Sequence, residues 1–421
     1  MKILLYGLNF APELTGIGKY TGEMAEWLAA QGHDLRVATT PPYYPAWRVA
    51  DGYSGARYKI QDARTKIQGT SSGELVIYRC PLWVPVQPSG LKRVLHLASF
   101  ALASFPVMLR LAFWRPDIVL VVAPAFFCAP GAWLTARLCG AKAWLHIQDY
   151  EIDAAFDLGL LRGRWLRGVV TTAERWLLRR FDIVSTISQR MVERALAKGV
   201  AAERAVLFPN WVVLDAIAPG EDQEARGKVQ EAGYRAELAI GGDAVVALYS
   251  GSMGAKQGLE ILSDVARRCP QVQFVFCGNG AGRADLEARC QGLANVRFLD
   301  LQPTERLGEL LTCADIHLLP QRADAADLVM PSKLTGMLAS GRPVVATAHA
   351  GTEVAKVVDG RGIVVPPEDA AAFAEAIAAL AGDAGRRSAL GSAGRRYAEE
   401  HLDLGGVLGR FEARLMRVLA A

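Results

Sequence analysis

The fold is decided by residues 1–39, MKILLYGLNFAPELTGIGKYTGEMAEWLAAQGHDLRVAT. An apolar run at 2–6 predicts a buried strand, and apolar residues at helical spacing predict a helix over 18–31. A second apolar run at 34–39 predicts the next strand. Strand, helix and strand in succession are typical of a parallel sheet that is covered by helices on both faces.

The same alternation recurs along the chain. In the first half it predicts strands at 117–122, 143–147, 183–185 and 205–208. In the second half it predicts strands at 244–249, 273–276, 296–298, 316–318, 343–346 and 362–365. The fold class predicted is therefore α/β, with two Rossmann-like, doubly wound domains that face each other across a cleft.

The length of 421 residues suits two such domains of ~200 residues each. A charged, polar segment after residue 210 predicts domains at 1–210 and 211–402, with a helix at 403–421 that packs back on the first. The Pro-, Gly- and Tyr-rich stretch 41–90 predicts a long excursion from the first sheet. The helical pattern over 394–420 predicts two terminal helices.

Cysteine usage and hydropathy bear on the cellular compartment. The seven cysteines form no CxxC pair, which favours reduced thiols in the cytosol. No secretory signal opens the chain. The uncharged stretch 94–109 is shorter than the ~20 residues of a spanning helix and contains Pro106. The sequence therefore predicts a cytoplasmic protein with no transmembrane helix.

Charge is divided unevenly between the halves. Residues 1–205 carry 25 Lys and Arg against 16 Asp and Glu, whereas the remainder carries 22 against 27. The basic half predicts an anionic partner: phospholipid, a lipid pyrophosphate or nucleic acid. Stretches 91–115 and 162–180 combine apolar and basic residues, which suits an anionic membrane surface, although a buried helix with a basic rim gives the same pattern. No nucleic-acid recognition motif is found, so nucleic acid is not expected as a partner.

The loop after the first strand carries Gly16, Gly18, Lys19 and Tyr20. Its glycines allow a ligand close to the backbone, and the N–H groups of residues 18–20 predict an anion or acceptor contact. The dinucleotide fingerprint GxGxxG is not met, because Thr21 stands where the third glycine would be. A plain structural turn is the alternative.

Three strand ends of the second half carry residues suited to a nucleotide diphosphate. Small residues permit close approach, and lysines neutralise phosphate charge. The candidate donor-binding residues are Gly251, Ser252, Lys256, Gly278, Gly280, Asp327, Pro331, Ser332 and Lys333. Residues 331–332 are predicted to start a helix, with free N–H groups at 332–334. The absence of the Walker pattern GxxxxGK[ST] argues against ATP hydrolysis.

A polar cluster follows the strand predicted at 143–147. His146 is a candidate for a hydrogen bond to a ligand hydroxyl, and Asp149 or Glu151 for a base that orients an acceptor. A satisfied core histidine is the alternative for His146. The acidic spacing resembles a metal-binding DxD only loosely, so no metal is assigned.

Taken in order, these segments resemble family 4 glycosyltransferases of the GT-B fold, above all the colanic-acid and exopolysaccharide branch that includes fucosyltransferases. The resemblance covers nearly the whole chain. Its most specific pieces are PELTGIGKYTGEMAEWLAAQGH at 12–33, HIQDYEIDAAFDLGLL at 146–161, YSGSMGAKQGLEIL at 249–262 and DLVMPSKLTGMLASGRPVVAT at 327–347.

The resemblance implies transfer of a hexosyl unit from a nucleotide diphosphate sugar. GDP-fucose, which would transfer a fucosyl unit, and UDP-sugars are the candidate donors. The resemblance implies a donor held by the C-terminal domain and a lipid-pyrophosphate-linked saccharide held by the N-terminal one. Retention of anomeric configuration, no cofactor and no metal are also implied. The apolar, basic stretches 91–115 and 162–180 add the prediction of a peripheral location on the inner face of the cell membrane. In this reading Lys256 contacts the diphosphate, Gly278 and Gly280 line the nucleotide site, His146 touches the transferred sugar, and Gly16 and Gly18 lie near the reacting phosphate.

Two departures from the family pattern stand out. Ser252 replaces the usual Arg, and Leu328 and Gly336 occupy the positions of the usual glutamate pair. The second glutamate normally binds ribose, so Asp327 or Ser332 is the candidate substitute. Two alternatives remain open: a sugar-nucleotide epimerase of the same architecture, and a degenerate, non-catalytic scaffold in a membrane assembly.

Overall fold

The structure is a computed structural model that describes most of the chain. The described ranges are 1–13, 16–53, 59–63, 73–86, 90–122, 127–150, 163–217, 233–254, 257–323 and 331–420. The chain divides into two compact units. Unit 1 comprises Met1–Pro209 and Leu408–Ala421, and unit 2 comprises Asn210–Val407.

The described residues of unit 1 form an eight-stranded sheet. Its strands are β1 Lys2–Tyr6, β2 Asp34–Thr39, β3 Lys59–Ala63, β4 Leu75–Arg79, β5 Ile118–Val122, β6 Lys142–Ile147, β7 Ile183–Thr186 and β8 Ala205–Leu207. The spatial order is β3-β4-β2-β1-β5-β6-β7-β8, and β3 alone runs antiparallel to its neighbour. The strand order reverses between β1 and β5, and ligands of such sheets bind beyond the carboxyl ends of strands at this point.

Helices cover both faces of this sheet, as the alternation predicts. They are α1 Gly16–Ala30, α2 Gly90–Ala112, α3 Ala129–Cys139, α4 Arg164–Leu178 and α5 Gln189–Ala197. The central strands β1, β5, β6 and β7 are buried along nearly their whole length, and β5 (IVLVV) is buried at every position. Continuous apolar strands rather than alternating ones are the signature of a sheet packed on two sides.

Unit 2 contains a parallel sheet of six strands within the described residues. They are β9 Val246–Ser250, β10 Gln273–Cys277, β11 Val296–Leu299, β12 Ile316–Leu319, β13 Val344–Thr347 and β14 Gly362–Val365. The spatial order is β11-β10-β9-β12-β13-β14, so the order reverses between β9 and β12. The helices are α6 Glu260–Arg268, α7 Arg283–Arg289, α8 Leu307–Thr312, α9 Lys333–Ala339, α10 Glu353–Val358, α11 Ala370–Ala381 and α12 Ala384–His401. Two buried apolar clusters fill the two faces of the sheet. The predicted α/β class with two doubly wound sheets is confirmed.

The last helix, α13 (Leu404–Ala420), supplies aromatic and ionic contacts to unit 1. The ring of Phe411 stacks on Phe208 with centroids 4.2 Å apart, and its edge meets Trp144 at 5.0 Å. His33 Nε2 lies 2.7 Å from Glu412 Oε1. The two terminal helices predicted within 394–420 are α12 and α13, and α12 begins ten residues earlier than predicted, after an aspartate N-cap at Asp383.

Two sequence interpretations need correction. The stretch 41–90 is not only an excursion, because β4 joins the sheet beside β2, and β3 pairs with β4 at its edge. The apolar run 94–109 is part of the longer helix α2, which continues through Pro106. Proline removes one helical hydrogen bond, and here the carbonyl that loses its donor belongs to Leu102, whose side chain is 76% exposed.

Among the described residues, α2 is the one helix long and apolar enough to cross a membrane. Length and composition are weak evidence for a span, because core helices pass the same test. One face of α2 is buried in unit 1 through Phe100, Ser104, Met108 and other residues. The Ser104 hydroxyl lies 2.6 Å from the hydroxyl of Tyr6 on β1. This face therefore belongs to the layer of helices that covers the sheet.

Candidate functional site

Two glycine-bearing loops lie side by side at the carboxyl edge of the unit 2 sheet. Gly251 N donates to Cys277 O at 3.0 Å, and Met253 N donates to Asn279 O at 3.0 Å, so the loops continue the pairing of β9 with β10. A Cβ on Gly278 would lie 1.9 Å from Gly251 O, and one on Gly280 would lie 2.4 Å from Met253 O. Both glycines also have positive φ angles. This backbone packing by itself requires glycine at 278 and 280, and their contact with a nucleotide stays a prediction.

Lys333, at the start of α9, reaches the end of β9. Its Nζ lies 2.9 Å from the Tyr249 hydroxyl and 4.2 Å from the centre of that ring. The Tyr249 hydroxyl donates to Ser252 O at 2.5 Å, so its oxygen is left to accept from the lysine. A Cβ on Gly251 would touch the lysine side chain at 3.6–3.7 Å. Lysine, tyrosine and the 251–252 loop thus form one cluster beside the point where the strand order reverses.

Burial lowers the pKa of Lys333 from the ordinary 10.5 to about 7. The ammonium of Lys333 lies over the face of the Tyr249 ring, whereas Lys333 as a whole residue is only half-buried. No described carboxylate forms an ion pair with Lys333. An ammonium that pairs with no described carboxylate, beside a glycine loop, is suited to a bound anion, which would restore its charged form.

Other predicted donor residues give a mixed picture. Lys256 and Asp327 lie outside the described residues. Ser252 and Ser332 are exposed, and Pro331 and Ser332 precede α9 as predicted. The N–H groups expected to be free at 332–334 are not all so, because Leu334 N donates to Pro331 O at 3.0 Å. Tyr249 was not predicted, since its partner Lys333 stands 84 residues away and no local pattern joins them.

In unit 1 the loop after β1 is organised around Glu13. Its carboxylate is buried and accepts from the N–H groups of Tyr43 and Tyr44, both at 3.0 Å, and from Asn9 Nδ2 at 2.8 Å. Burial raises the pKa of Glu13, and the hydrogen bonds to the carboxylate oppose the rise. A Cβ on Gly18 would lie 2.6 Å from Glu13 Cβ. Glu13 therefore fixes the loop after β2 against the start of α1, and it explains the need for glycine at 18.

The helix after this loop begins two residues earlier than the sequence predicts. Helix α1 begins at Gly16, whose φ is 62°, rather than at 18. The first N–H groups of a helix lack intrahelical partners, so an anion would meet the N–H groups of the first turn of α1. The Tyr20 side chain is buried in unit 1, and Lys19 pairs with Glu23 at 3.4 Å. Whether Gly16 and Gly18 meet a phosphate stays a prediction.

His146, on β6, is 2% exposed and both ring nitrogens have partners. Burial lowers its pKa to about 3, so the ring is neutral. Gln148 Nε2 lies 3.0 Å from His146 Nε2, which leaves Nδ1–H to donate to Ser185 Oγ at 2.9 Å. The predicted contact with a sugar would require Gln148 to leave. The geometry supports the alternative of a satisfied core histidine that orders the carboxyl end of β6.

Asp149 is half-buried at the carboxyl end of β6, and Glu151 lies outside the described residues. The pKa of the Tyr44 hydroxyl is raised first by burial and then by the negative charge of Asp149, while Arg93 lowers it. The predicted base Asp149 and the cation Arg93 are therefore both close enough to Tyr44 for their charges to act on its hydroxyl. Sequence analysis missed Tyr44 and Arg93, because they follow different strands and meet only in the fold.

No group of three His, Cys, Asp or Glu residues able to hold a metal ion occurs within the described ranges. All seven cysteines lie in those ranges as free thiols, and all but Cys139 are buried. Metal independence stays a prediction.

Two family models match the chain, one in each unit. Residues 15–211 match the model described as glycosyl transferase 4-like domain. Residues 244–383 match the model described as glycosyl transferases group 1. A protein of Escherichia coli strain K12 with the provisional name colanic acid biosynthesis glycosyl transferase WcaI is 44% identical over 98% of this chain and 98% of its own length.

Solved structures share the fold over the whole chain. A sucrose-phosphate synthase from Thermosynechococcus elongatus superposes with a TM-score of 0.75 at 19% identity, covering 100% of this chain and 99% of its own. HepE from Anabaena, solved in complex with UDP-glucose, gives a TM-score of 0.69 at 16% identity and covers 99% of this chain and 100% of its own. At these identities the likeness shows the fold alone.

Proposed function

This chain belongs to the glycosyltransferases that combine a glycosyl transferase 4-like domain with a group 1 domain, and we propose that it transfers a hexosyl unit from a nucleotide diphosphate sugar to a lipid-pyrophosphate-linked saccharide. The relative from Escherichia coli is named for colanic acid biosynthesis, which supports exopolysaccharide assembly as the process. The UDP-glucose complex of HepE supports a nucleotide sugar as the donor. GDP-fucose and UDP-sugars are the donors to be tested first.

One observation carries the proposal: Lys333 has no described counter-ion and lies against the glycine loop at the carboxyl edge of the unit 2 sheet. We infer that the donor diphosphate supplies its missing negative charge. The lysine would then stabilise the charge that develops on the departing nucleoside diphosphate. Removing one such stabilising group typically costs ~3 kcal/mol of barrier. With Lys256 as a second cation, this would replace a metal ion.

The acceptor is assigned to unit 1, where Asp149 is the candidate base at the carboxyl end of β6. Tyr44 and Arg93 lie in the same electrostatic surroundings as Asp149. His146 is assigned a positioning role, since its ring is enclosed. Retention of the anomeric configuration belongs to the same proposal.

We further propose that the protein works as a peripheral protein on the cytoplasmic face of an anionic membrane. The outer face of α2 presents Leu91, Leu102 and Leu95 to solvent, and the following Phe113 is 89% exposed. On α4, Trp165 is 80% exposed, and Trp176 lies beneath the guanidinium of Arg180 at 4.6 Å. Exposed apolar side chains with interleaved arginines suit the boundary between acyl chains and anionic headgroups.

The donor assignment is tested by a thermal-shift screen of UDP, GDP, ADP and their sugars. A ligand that binds only the folded state raises the melting temperature. We expect one nucleotide series to stabilise the wild type, and Lys333→Met to abolish most of the shift. Lys356→Met removes an exposed lysine of α10 in the same unit and serves as the matched control. Equal stabilisation of the Lys333→Met protein and the control would remove Lys333 from the donor site.

The role of Lys256 is tested by measuring the rate of sugar transfer in a Lys256→Ala variant. We expect Lys256→Ala to lower the rate about a hundredfold, which corresponds to ~3 kcal/mol, with folding intact. Unchanged kinetics would exclude the role that the resemblance gives this residue.

A further inference from the structure

An aromatic cluster stands at the carboxyl edge of the unit 1 sheet, between the loop after β2 and the first turns of α2. It consists of Tyr43, Trp47 and His96. The Tyr43 and His96 ring centres are 4.8 Å apart, those of Trp47 and His96 5.3 Å, and those of Tyr43 and Trp47 5.8 Å. The three rings therefore form one continuous group, and nothing in the transfer chemistry described above uses it.

Part of this aromatic surface faces outward. Trp47 is half-buried, and the neighbouring Tyr44 is 39% exposed. Trp47 also has a φ of 51°, a left-handed backbone conformation that is rare for a bulky residue. Such a conformation persists only where the surroundings hold it, and residues of this kind concentrate at ligand sites. The apolar C–H faces of a sugar ring pack well against exposed aromatic rings.

His96 adds a polar atom that has no protein partner among the described residues. Its side chain is 1% exposed, and Nδ1–H donates to Trp83 O at 2.6 Å. Burial lowers the pKa of His96, so the ring is neutral and Nε2 carries a lone pair. That Nε2 is buried without a hydrogen bond. A buried acceptor left unpaired costs free energy, and an O–H donor from a ligand would remove the cost.

Charged groups of both signs border the cluster. The guanidinium of Arg93 lies 5.5 Å from the centre of the Trp47 ring. Burial raises the pKa of Tyr44, the negative charges of Asp149 and Glu13 raise it further, and the positive charge of Arg93 lowers it. One cation beside two carboxylates is a poor match for a phosphate group. It is a good match for a neutral polyhydroxyl ligand, whose hydroxyl groups donate to a carboxylate and accept from the guanidinium.

We propose that Tyr44, Trp47, Arg93 and His96 form a subsite for one neutral sugar ring of the acceptor, a proposal that rests on the proposed function. The sugar ring packs on Trp47, and one of its hydroxyl groups is directed to His96 Nε2. The subsite lies in the same region of unit 1 as Asp149, the candidate base. It therefore places the recognised saccharide next to the group assigned to activate it. The contribution of unit 2 is not needed for this binding.

The test is saturation-transfer NMR on the full chain without donor. The probes are methyl β-D-glucopyranoside and methyl β-D-galactopyranoside, titrated separately. We expect transfer from aromatic protons to at least one glycoside. Trp47→Ala should weaken its binding roughly three- to tenfold, whereas Trp47→Phe should stay close to the wild type. Met416→Ala, at an exposed apolar position on α13, is the remote control.

Arg93→Gln is a second variant on an exposed side chain, which keeps the test valid if Trp47→Ala fails to fold. We expect it to weaken glycoside binding as well. Equal glycoside binding by wild type, Trp47→Ala and Arg93→Gln would overturn the subsite, as would the absence of glycoside binding in the wild type.

The thermal shift with UDP or GDP separates this proposal from the proposed function. If nucleotides stabilise the protein and neither glycoside binds, the subsite is wrong and the donor assignment stands. If a glycoside binds at Trp47 and no nucleotide stabilises the protein, the transferase proposal is wrong and the cluster remains a sugar site.

Discussion

Binding of a nucleoside diphosphate should take up a proton, because Lys333 is largely neutral in the free protein. Its pKa of about 7 means that at pH 8 ~90% of the side chains have lost the proton. A diphosphate bound against the ammonium would return the pKa toward the ordinary 10.5. The bound lysine is then protonated throughout this range, so binding at pH 8 should take up ~0.9 proton.

The same linkage fixes the direction of the pH dependence. The free protein must acquire the proton before the contact forms, so the dissociation constant should rise as the pH rises. Between pH 7 and pH 9 the increase should be about fiftyfold, in a window where the phosphates themselves are already ionised. In the absence of nucleotide the folded state binds fewer protons at Lys333 than the unfolded state between the two pKa values. Its contribution to the free energy of unfolding therefore rises with pH in this window.

Calorimetry measures the proton directly. Titrations of UDP and GDP at pH 8 in two buffers with different ionisation enthalpies give the number of protons taken up. In Lys333→Met we expect both the proton uptake and the steep pH dependence to disappear, whereas Lys356→Met should behave as the wild type. A wild-type dissociation constant that stays flat from pH 7 to pH 9, with no proton uptake, would refute the role of Lys333.

Two further predictions concern the stability of the fold, and a third concerns binding to membranes. Gly278→Ala should lower the free energy of unfolding by about 3 kcal/mol, because its Cβ would meet Gly251 O; Gly242→Ala, with open space around it, should change little, and denaturant unfolding of both proteins checks this. His146→Ala should destabilise the protein by ~2–4 kcal/mol, because it removes the hydrogen bonds to Gln148 and Ser185 and leaves a cavity, while nucleotide binding persists. Full stability with lost transfer would instead support direct contact of His146 with the sugar. Trp165→Ser should reduce sedimentation with anionic phosphatidylglycerol vesicles, and added salt should weaken the wild type in the same way, whereas Met416→Ser should have no effect; equal sedimentation of both variants would remove α4 from the membrane surface.

The fold could be predicted from the sequence because parallel sheets buried on both faces leave long apolar runs between amphipathic helices. Strands such as β5 and β12 stand out for this reason. The edge strand β3 and its neighbour β4 were missed because they lie in a stretch rich in turn-forming residues, and such a composition gives no signal for a short antiparallel pair. The uncharged stretch 94–109 and its Pro106 argued against a membrane span, and the helix α2 is longer than this stretch because its exposed face tolerates the lost hydrogen bond.

The sequence predicted only those site residues whose type and position at a strand end indicate their role. The glycine loops and Lys333 fall at strand ends and can be found by position. Their partners cannot: Tyr249 and Lys333 meet across 84 residues, and Glu13 contacts a loop 30 residues away. His146 looked functional because it ends a strand, yet its two nitrogens are satisfied by Ser185 and Gln148. Burial of that kind is a property of the packed fold and leaves no mark in the local sequence.

Transfer of a sugar from a nucleotide donor to a lipid-linked acceptor is tested most directly by a coupled assay. The purified chain is incubated with GDP-fucose and a panel of UDP-sugars, with and without a bacterial lipid extract that contains lipid-pyrophosphate-linked saccharides. We predict that one donor releases its nucleoside diphosphate only with the extract present, and that mass spectrometry shows a lipid-linked saccharide heavier by one sugar residue. Isomerised nucleotide sugar without any acceptor, or donor binding with no product over the whole panel, would contradict the account.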